Sequence, residues 1–267
     1  MVDRLKDKIA IVSGGTSGIG EATVELFINE GAQVVFSGRT EDKGNALAER
    51  TGATFVKADI MSEDDIKATI DTAVEKFGGL DILFNNAGDN TWGPVDSVTE
   101  EAVSYAWKLL FNSVVLSTKH AIPHMEKRGG GCIINNSSIA GIRDSQGDLM
   151  YSSVKAGLTH YSKLAGTRLG PRGIRVNVIS PGAIATPIFW GGNQVELAEG
   201  EYEEKMQDLQ SRLARVTPLG IPGVALDIAN GALFLASEEG RFINSHDLII
   251  DGGRTSMFHE KPREEQT

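Results

Sequence analysis

Residues 8–31 read KIAIVSGGTSGIGEATVELFINEG, and this stretch decides the fold. The largely apolar run KIAIVS (8–13) passes directly into a glycine-rich turn, then into a helix-length amphipathic segment. The glycines Gly14, Gly18 and Gly20 follow the pattern G-x-x-x-G-x-G. Glycine permits the tight strand-to-helix turn and lets backbone N–H groups approach a pyrophosphate at the helix N-terminus. A turn placed after a first strand and before a helix points to a dinucleotide site. The bland alternative is a tight turn with no ligand.

The same alternation runs through most of the chain. Strand candidates are KIAIVS (8–13), QVVFS (33–37), TFVKA (54–58), DILFNN (81–86), CIINNS (132–137), IRVNVIS (174–180) and DLIID (247–251). Most are nearly continuous apolar runs, as strands covered on both faces require. Helix candidates lie at about 19–30, 41–51, 63–77, 99–127, 150–169 and 223–236. This predicts an α/β chain: a single-domain, Rossmann-type, doubly wound parallel sheet of about seven strands with helices on both faces. The domain is expected over residues 1–255. It includes an insertion at about 187–217 that breaks the rhythm and is placed to cover a substrate. A polar tail, 256–267, is expected to fray.

Composition narrows the function. The 267 residues carry 40% hydrophobic and 23% charged side chains, with a net charge of −10. Nucleic acid and anionic membranes require a basic face, so neither is an expected partner. The single cysteine, Cys132, excludes an internal disulfide and reads as a small buried hydrophobe. No Cys/His cluster has zinc spacing, so no metal is expected. No signal-peptide pattern or spanning apolar stretch is seen, which fits a cytoplasmic enzyme.

The end of the second strand reads VVFSGRT. An acidic residue there would accept from the adenosine ribose hydroxyls and select NAD. Here Gly38 replaces the acid, leaving room for a phosphate, and Arg39 follows. A guanidinium suits a 2′-phosphate, so NADP(H) is favoured over NAD(H). The alternative for Arg39 is a solvent-facing loop residue. Asp59, next to Ile60 after the third strand, either meets the adenine amino group or serves as an acid near a helix N-terminus.

The chemistry is signalled by Tyr151 and Lys155 in MYSSVKAG, with Ser138 thirteen residues ahead of the tyrosine. Four residues make one helical turn, so phenol and ammonium share a face. A cation beside a phenol favours phenolate, and a tyrosine so tuned exchanges protons near neutral pH. Alone, Y-x-x-x-K also fits a half-buried tyrosine beside a surface lysine.

Taken together the motifs resemble the short-chain dehydrogenase/reductase family. SGGTSGIG (13–20) is similar to its T-G-x-x-x-G-x-G, NNAG (85–88) to N-N-A-G, and NNSS (135–138) to N-x-S-S. YSSVK (151–155) is similar to Y-x-x-x-K, SPGAIATP (180–187) to the P-G motif, and DGG (251–253) follows the last strand. The resemblance implies that Tyr151 is the general acid/base, that Lys155 binds the nicotinamide ribose and lowers the Tyr151 pKa, and that Ser138 hydrogen-bonds the reacting oxygen. It places Thr16, Ser17 and Ile19 with the three glycines at the pyrophosphate, and Asn86, Ala87 and Gly88 beside the adenosine ribose. Pro181, Gly182, Ile184 and Thr186 would hold the carboxamide and pyrophosphate. The alternatives are that Asn86 only ties adjacent strands together and that Thr186 only caps the helix that follows. It also implies a homotetramer contacting through the helices at 99–127 and 150–169.

One departure stands out. Aligned without gaps, Leu110 occupies the position where the family usually places an asparagine that anchors a relay water. Asn112 lies two residues later and would face away unless the helix is bulged.

Phe189 and Trp190 open the insertion, before the hinge candidate Gly191-Gly192. With Trp92, Ile142 and Met150 they suggest an apolar rim around Ser138, and hence an uncharged, hydrophobic secondary alcohol or ketone, since an anionic substrate would want a basic partner. The alternative is that they only pack the insertion onto the body. The acidic run Glu199, Glu201, Glu203 and Glu204 reads as a solvated helix start. The leading expectation is an NADP(H)-dependent oxidoreductase; the alternative is a catalytically weak nucleotide-binding sensor or regulator of the same fold.

Overall fold

The inner strands of the central sheet send alternate side chains into two separate cores. Ala10 and Val12 pack with Val34 and Phe36 on one face, whereas Ile9, Ile11 and Val35 pack on the other. Strands buried on both faces require helices on both faces. The computed structural model describes residues 3–190 and 200–257. Its strands are β1 (Ile9–Ser13), β2 (Gln33–Gly38), β3 (Thr54–Lys57), β4 (Ile82–Asn85), β5 (Gly131–Asn136), β6 (Ile174–Pro181), β7 (Ile184–Ala185), β8 (Gly223–Val224) and β9 (Asp247–Ile250). Seven form one parallel sheet in the order β3-β2-β1-β4-β5-β6-β9. The short β7 and β8 pair separately.

The helices are α1 (Gly18–Asn29), α2 (Glu41–Thr51), α3 (Glu63–Phe77), α4 (Glu100–Trp107), α5 (Ser113–Lys127), α6 (Leu149–Leu169), α7 (Glu201–Arg215) and α8 (Ala225–Ala236). α1 and α8 cover one face through Val24, Phe27, Ile228 and Ala232. α3, α5 and α6 cover the other through Ile66, Ile70, Ala121, Met125 and Leu169. The chain reverses its winding between β1 and β4, which opens a crevice at their carboxyl ends, where doubly wound sheets bind ligands.

Two regions differ from a plain reading of the pattern. The single helix expected over 99–127 is interrupted by a π-helical turn, Lys108–Asn112, between α4 and α5. The Ser113 hydroxyl donates to the Leu109 carbonyl at 2.6 Å across this turn. The wider turn also stacks Trp107 edge-on to Phe111 and Phe111 edge-on to Tyr161 of α6. The insertion at 187–217 contains a short 3-10 turn, Pro187–Trp190, and then α7, whose first turn carries Glu201, Glu203 and Glu204. Acidic residues there complement the helix dipole. Glu199 and the hinge candidate Gly191-Gly192 lie outside the described residues, as does the tail from residue 258 onward.

Candidate active site

A cavity of about 690 Å³ follows the carboxyl ends of β1, β4, β5 and β6. Its size lies within the roughly 300–1,000 Å³ range of small-molecule and cofactor sites. Gly14, Thr16, Ser17, Gly18 and Ile19 line one end. Ser17 is the N-cap of α1 without a side-chain cap bond, so the first N–H groups of α1 have no side-chain acceptor there. Gly20 lies beneath this turn: a Cβ on it would sit 2.0 Å from the Gly14 carbonyl oxygen, so only glycine fits. Arg39, Asp59 and Ile60 line the same end. One Asp59 oxygen accepts from Met61 N at 2.9 Å, closing its own turn. Asn86, Ala87 and Gly88 form the floor, and Pro181, Gly182, Ile184 and Thr186 the facing wall. The Thr186 hydroxyl turns back to the Ile184 carbonyl at 3.4 Å rather than capping a helix.

The floor is fixed by buried amides. Asn86 Nδ2 donates to the carbonyls of Ser13 and Gly14, and Asn86 Oδ1 accepts from Asn136 Nδ2 at 2.9 Å. The Ser13 hydroxyl accepts from the N–H groups of Asn86 and Ala87. Deeper in, Asn85 donates to Asn135, which donates to Ser162 of α6. Asn86 therefore ties β1, β4 and β5 together while lining the cavity.

Ser138, Tyr151 and Lys155 meet at the other end. Ser138 lies two residues past β5 and caps the 3-10 turn Ile139–Gly141, its Oγ accepting from Ala140 N at 3.1 Å. Asp148 caps α6, which carries Tyr151 and Lys155 one turn apart. The Lys155 ammonium is buried, lies 5.5 Å from the Tyr151 ring centre, and donates to the Asn136 carbonyl at 2.7 Å. Burial pushes the Tyr151 phenol up to about 12; the Ser138 hydrogen bond pulls it down and the Asp89 carboxylate pushes it further up. Burial pulls Lys155 down to about 8. The lysine neighbour is not among the causes acting on the phenol in this structure. Here desolvation of the phenolate dominates. Burial likewise raises the Cys132 thiol, which is fully enclosed and donates to the Leu235 carbonyl at 3.4 Å.

The family described as Enoyl-(Acyl carrier protein) reductase matches residues 14–255. The chain is 36% identical to the short-chain dehydrogenase reductase ATA1 of Arabidopsis thaliana, over 95% of this chain and 94% of that one. It is 38% identical to tropinone reductase-like 1 of Erythroxylum coca, covering 94% and 91% of the two chains. The crystal structure of L-sorbose reductase from Gluconobacter frateurii, complexed with NADPH and L-sorbose, superposes with a TM-score of 0.84 at 31% identity, covering 97% of this chain and all of that one. The chain belongs to the short-chain dehydrogenase/reductase family. It is an NAD(P)-dependent oxidoreductase.

Leu110 stands at the position that an ungapped alignment gives the family's relay asparagine. Leu110 lines the cavity, is 1% exposed, and reaches 3.0 Å from where a Gly88 Cβ would stand. Despite the π turn, Asn112 does not line this cavity. It faces an adjoining hollow beside Met61 and Trp107.

The dehydrogenase's larger cavity opens past Ser138 into a side cavity of about 260 Å³. Of the expected apolar rim, Phe189 lines both cavities. Trp92, Ile142, Met150 and Trp190 line neither. Trp190 stacks edge-on against Tyr202 and packs with Leu209 and Leu213, so it seats α7 on the body. Met150 packs beside Ala106 and Val154. Trp92 and Ile142 are 76% and 45% exposed. The sequence reading missed Gln146, Arg212 and Arg254, which line the side cavity. The spacing of Leu209, Arg212, Leu213 and Val216 marks one face of α7 and is a local signal for Arg212. Arg254 directly follows DGG.

Proposed function

We propose that this oxidoreductase interconverts a secondary alcohol and a ketone with NADP(H), and that Tyr151 is its general acid/base. The observation that carries this reading is the meeting of Ser138, Tyr151 and Lys155 at one end of a cavity whose other end is a glycine turn at a helix N-terminus. That cradle, filled by any Cβ at Gly20, suits a pyrophosphate. Bound NADP(H) supplies or accepts the hydride. Ser138 holds the reacting oxygen, Tyr151 gives or takes its proton, and Lys155 binds the nicotinamide ribose hydroxyls. Asn86, Ala87 and Gly88 support the adenosine side, and Ile184 and Thr186 the carboxamide side. NADP(H) is favoured because β2 ends without a carboxylate and Arg39 stands at the cavity. The solved L-sorbose reductase, itself complexed with NADPH, supports that choice.

Leu110 in place of a relay asparagine favours a second reading, a nucleotide sensor without turnover. NADPH oxidation measured against a panel of ketones separates the two: turnover supports the reductase, and tight NADPH binding with none supports the sensor. We also propose a cytoplasmic homotetramer associating through α4, α5 and α6, where Tyr105 and Leu164 are exposed. Light scattering coupled to gel filtration that finds only a 28.6 kDa species at micromolar concentration would exclude this assembly.

A further inference from the structure

We propose that the substrate is an oxo acid or hydroxy acid whose carboxylate is bound in the side cavity by Arg254, assisted by Arg212. The inference rests on the ketone-reductase reading above. Ser138, Gln146 and Phe189 belong to both cavities, so the side cavity begins at the hydroxyl that faces the reacting oxygen. Its walls are otherwise apolar, with Leu209, Leu213 and Val216 from α7. Among the described residues its two charged side chains are Arg212 and Arg254, and no acidic residue lines it.

Arg254 is the stronger observation. Its Nε donates to Gln146 Oε1 at 2.5 Å, which aims the guanidinium. Its Nη1 is buried and has no hydrogen-bond partner among the described residues. A buried, unpaired guanidinium N–H is costly, so a ligand acceptor at this point is strongly favoured. The adjacent carboxylate does not fill the role. Asp251 Oδ1 accepts from Gly253 N, and Oδ2 accepts from both Thr255 N and the Thr255 hydroxyl. Arg212 is held on the α7 surface through Nε and Asp208, an exposed pair worth little by itself. A planar guanidinium matches a carboxylate in a two-pronged bond that a neutral group cannot make. The whole chain carries a charge of −10, so it exerts no general attraction on anions and these two arginines act locally. The apolar wall then accommodates the hydrocarbon body of the same molecule.

In the reductive direction a hydride supplied by NADPH, which would be oxidised to NADP+, adds to the ketone carbon. The carbonyl π pair moves to oxygen, and that oxygen takes the Tyr151 phenolic proton. The carboxylate stays ionised on Arg254 and undergoes no change.

The test compares straight-chain oxo acids, with the carboxylate at increasing distance from the ketone, against their methyl esters. kcat/KM is measured for each pair with NADPH. For at least one chain length the acid should exceed its ester by about tenfold or more, as a charge-assisted contact implies. Arg254→Gln should lower that acid-to-ester ratio by about tenfold, Arg254→Lys by less, and Arg212→Gln by about twofold to threefold. Melting curves check that each variant is folded; Arg212→Gln, on an exposed face, serves if Arg254→Gln is not. Esters reduced as well as acids at every length, or a ratio that Arg254→Gln leaves unchanged, overturn the inference while the reductase reading stands. No NADPH oxidation with any ketone overturns that reading and the inference with it.

Discussion

Lys155 Nζ donates to the main-chain oxygen of Asn136 at 2.7 Å, and the side chain of Asn136 is bonded in turn to Asn86 on the cavity floor. The ammonium is thereby held against β5, not left to swing. A buried cation with a single neutral acceptor titrates early, which accounts for its fall to about 8.

Replacing Tyr151 by phenylalanine removes the proposed proton donor and leaves the ring packing in place. Turnover should fall by about 10²–10⁴-fold, the usual share of general acid–base catalysis. NADPH affinity, read by fluorescence titration, should change little. A variant that keeps turnover within about tenfold, roughly 1.4 kcal/mol of barrier, removes Tyr151 from the mechanism.

The two shifts fix a pH profile. Tyr151 stays protonated until about pH 12, and Lys155 loses its proton near pH 8. Ketone reduction needs the phenol protonated, so kcat/KM should be level below pH 8 and decline above it on the Lys155 limb. Stability moves the other way. Between about 8 and the ordinary lysine value of 10.5 the unfolded chain holds the proton and the native chain does not, so stability rises with pH in that window. Denaturant melts of the wild type and Lys155→Met at pH 7 and pH 10 check this, with the rise absent from the variant.

Cofactor choice turns on Arg39 and on a contact that the bare sequence does not show. A Cβ on Gly38 would stand 2.6 Å from Thr16 Cγ2, so the missing side chain makes room for Thr16 as well as for a phosphate. Arg39→Ala should weaken kcat/KM for NADPH by about tenfold or more, the worth of a charge-assisted contact, and leave NADH within about twofold. Gly38→Asp alone should impair both cofactors. Only Gly38→Asp combined with Thr16→Ala should raise NADH use, since a carboxylate can then reach the ribose hydroxyls. Unaltered NADPH kinetics in Arg39→Ala would reduce Arg39 to a loop residue.

The sheet was legible because its strands are continuous apolar runs separated by amphipathic helices, and each strand falls within a residue or two of its reading. The glycine turn and the Tyr151–Lys155 spacing are local patterns, so they too could be read directly. Contacts between distant residues could not. Gln146 and Arg254 are 108 residues apart and meet only when the C-terminal turn folds over the end of β5. Trp190 carried the opposite difficulty: an aromatic side chain near a site suits a lining or a packing role equally, and α7 needed it for packing. The π turn has no composition signature, because it depends on the fit of Trp107 and Phe111 against α6.

Leu110 and Asn112 can be separated by substitution. Asn112→Ala should leave turnover within about twofold, since Asn112 faces a different hollow. Leu110→Asn places an amide among Ala106, Leu109 and Val154 and should cost about 2–4 kcal/mol of stability. A tenfold loss of kcat in Asn112→Ala, measured at saturating NADPH, would return Asn112 to the proton path.

The outer wall of the side cavity is attached to the enzyme's periphery, while Ser138, Ile139 and Gly182 form its inner wall at the ends of β5 and β6. α7 buries only Leu209 and Leu213, in a small cluster separate from both sheet-face cores, and Arg254 lies on a short turn after β9. The cofactor floor, by contrast, is tied by Asn85, Asn86, Asn135 and Asn136 into the strands that hold the molecule together. Mutational tolerance is therefore divided by location. If the proposed acid site holds, substitutions at Arg212 or Val216 should alter which molecules are accepted at less cost in stability than substitutions in the asparagine network, so a change of specificity should be reachable by few changes on α7.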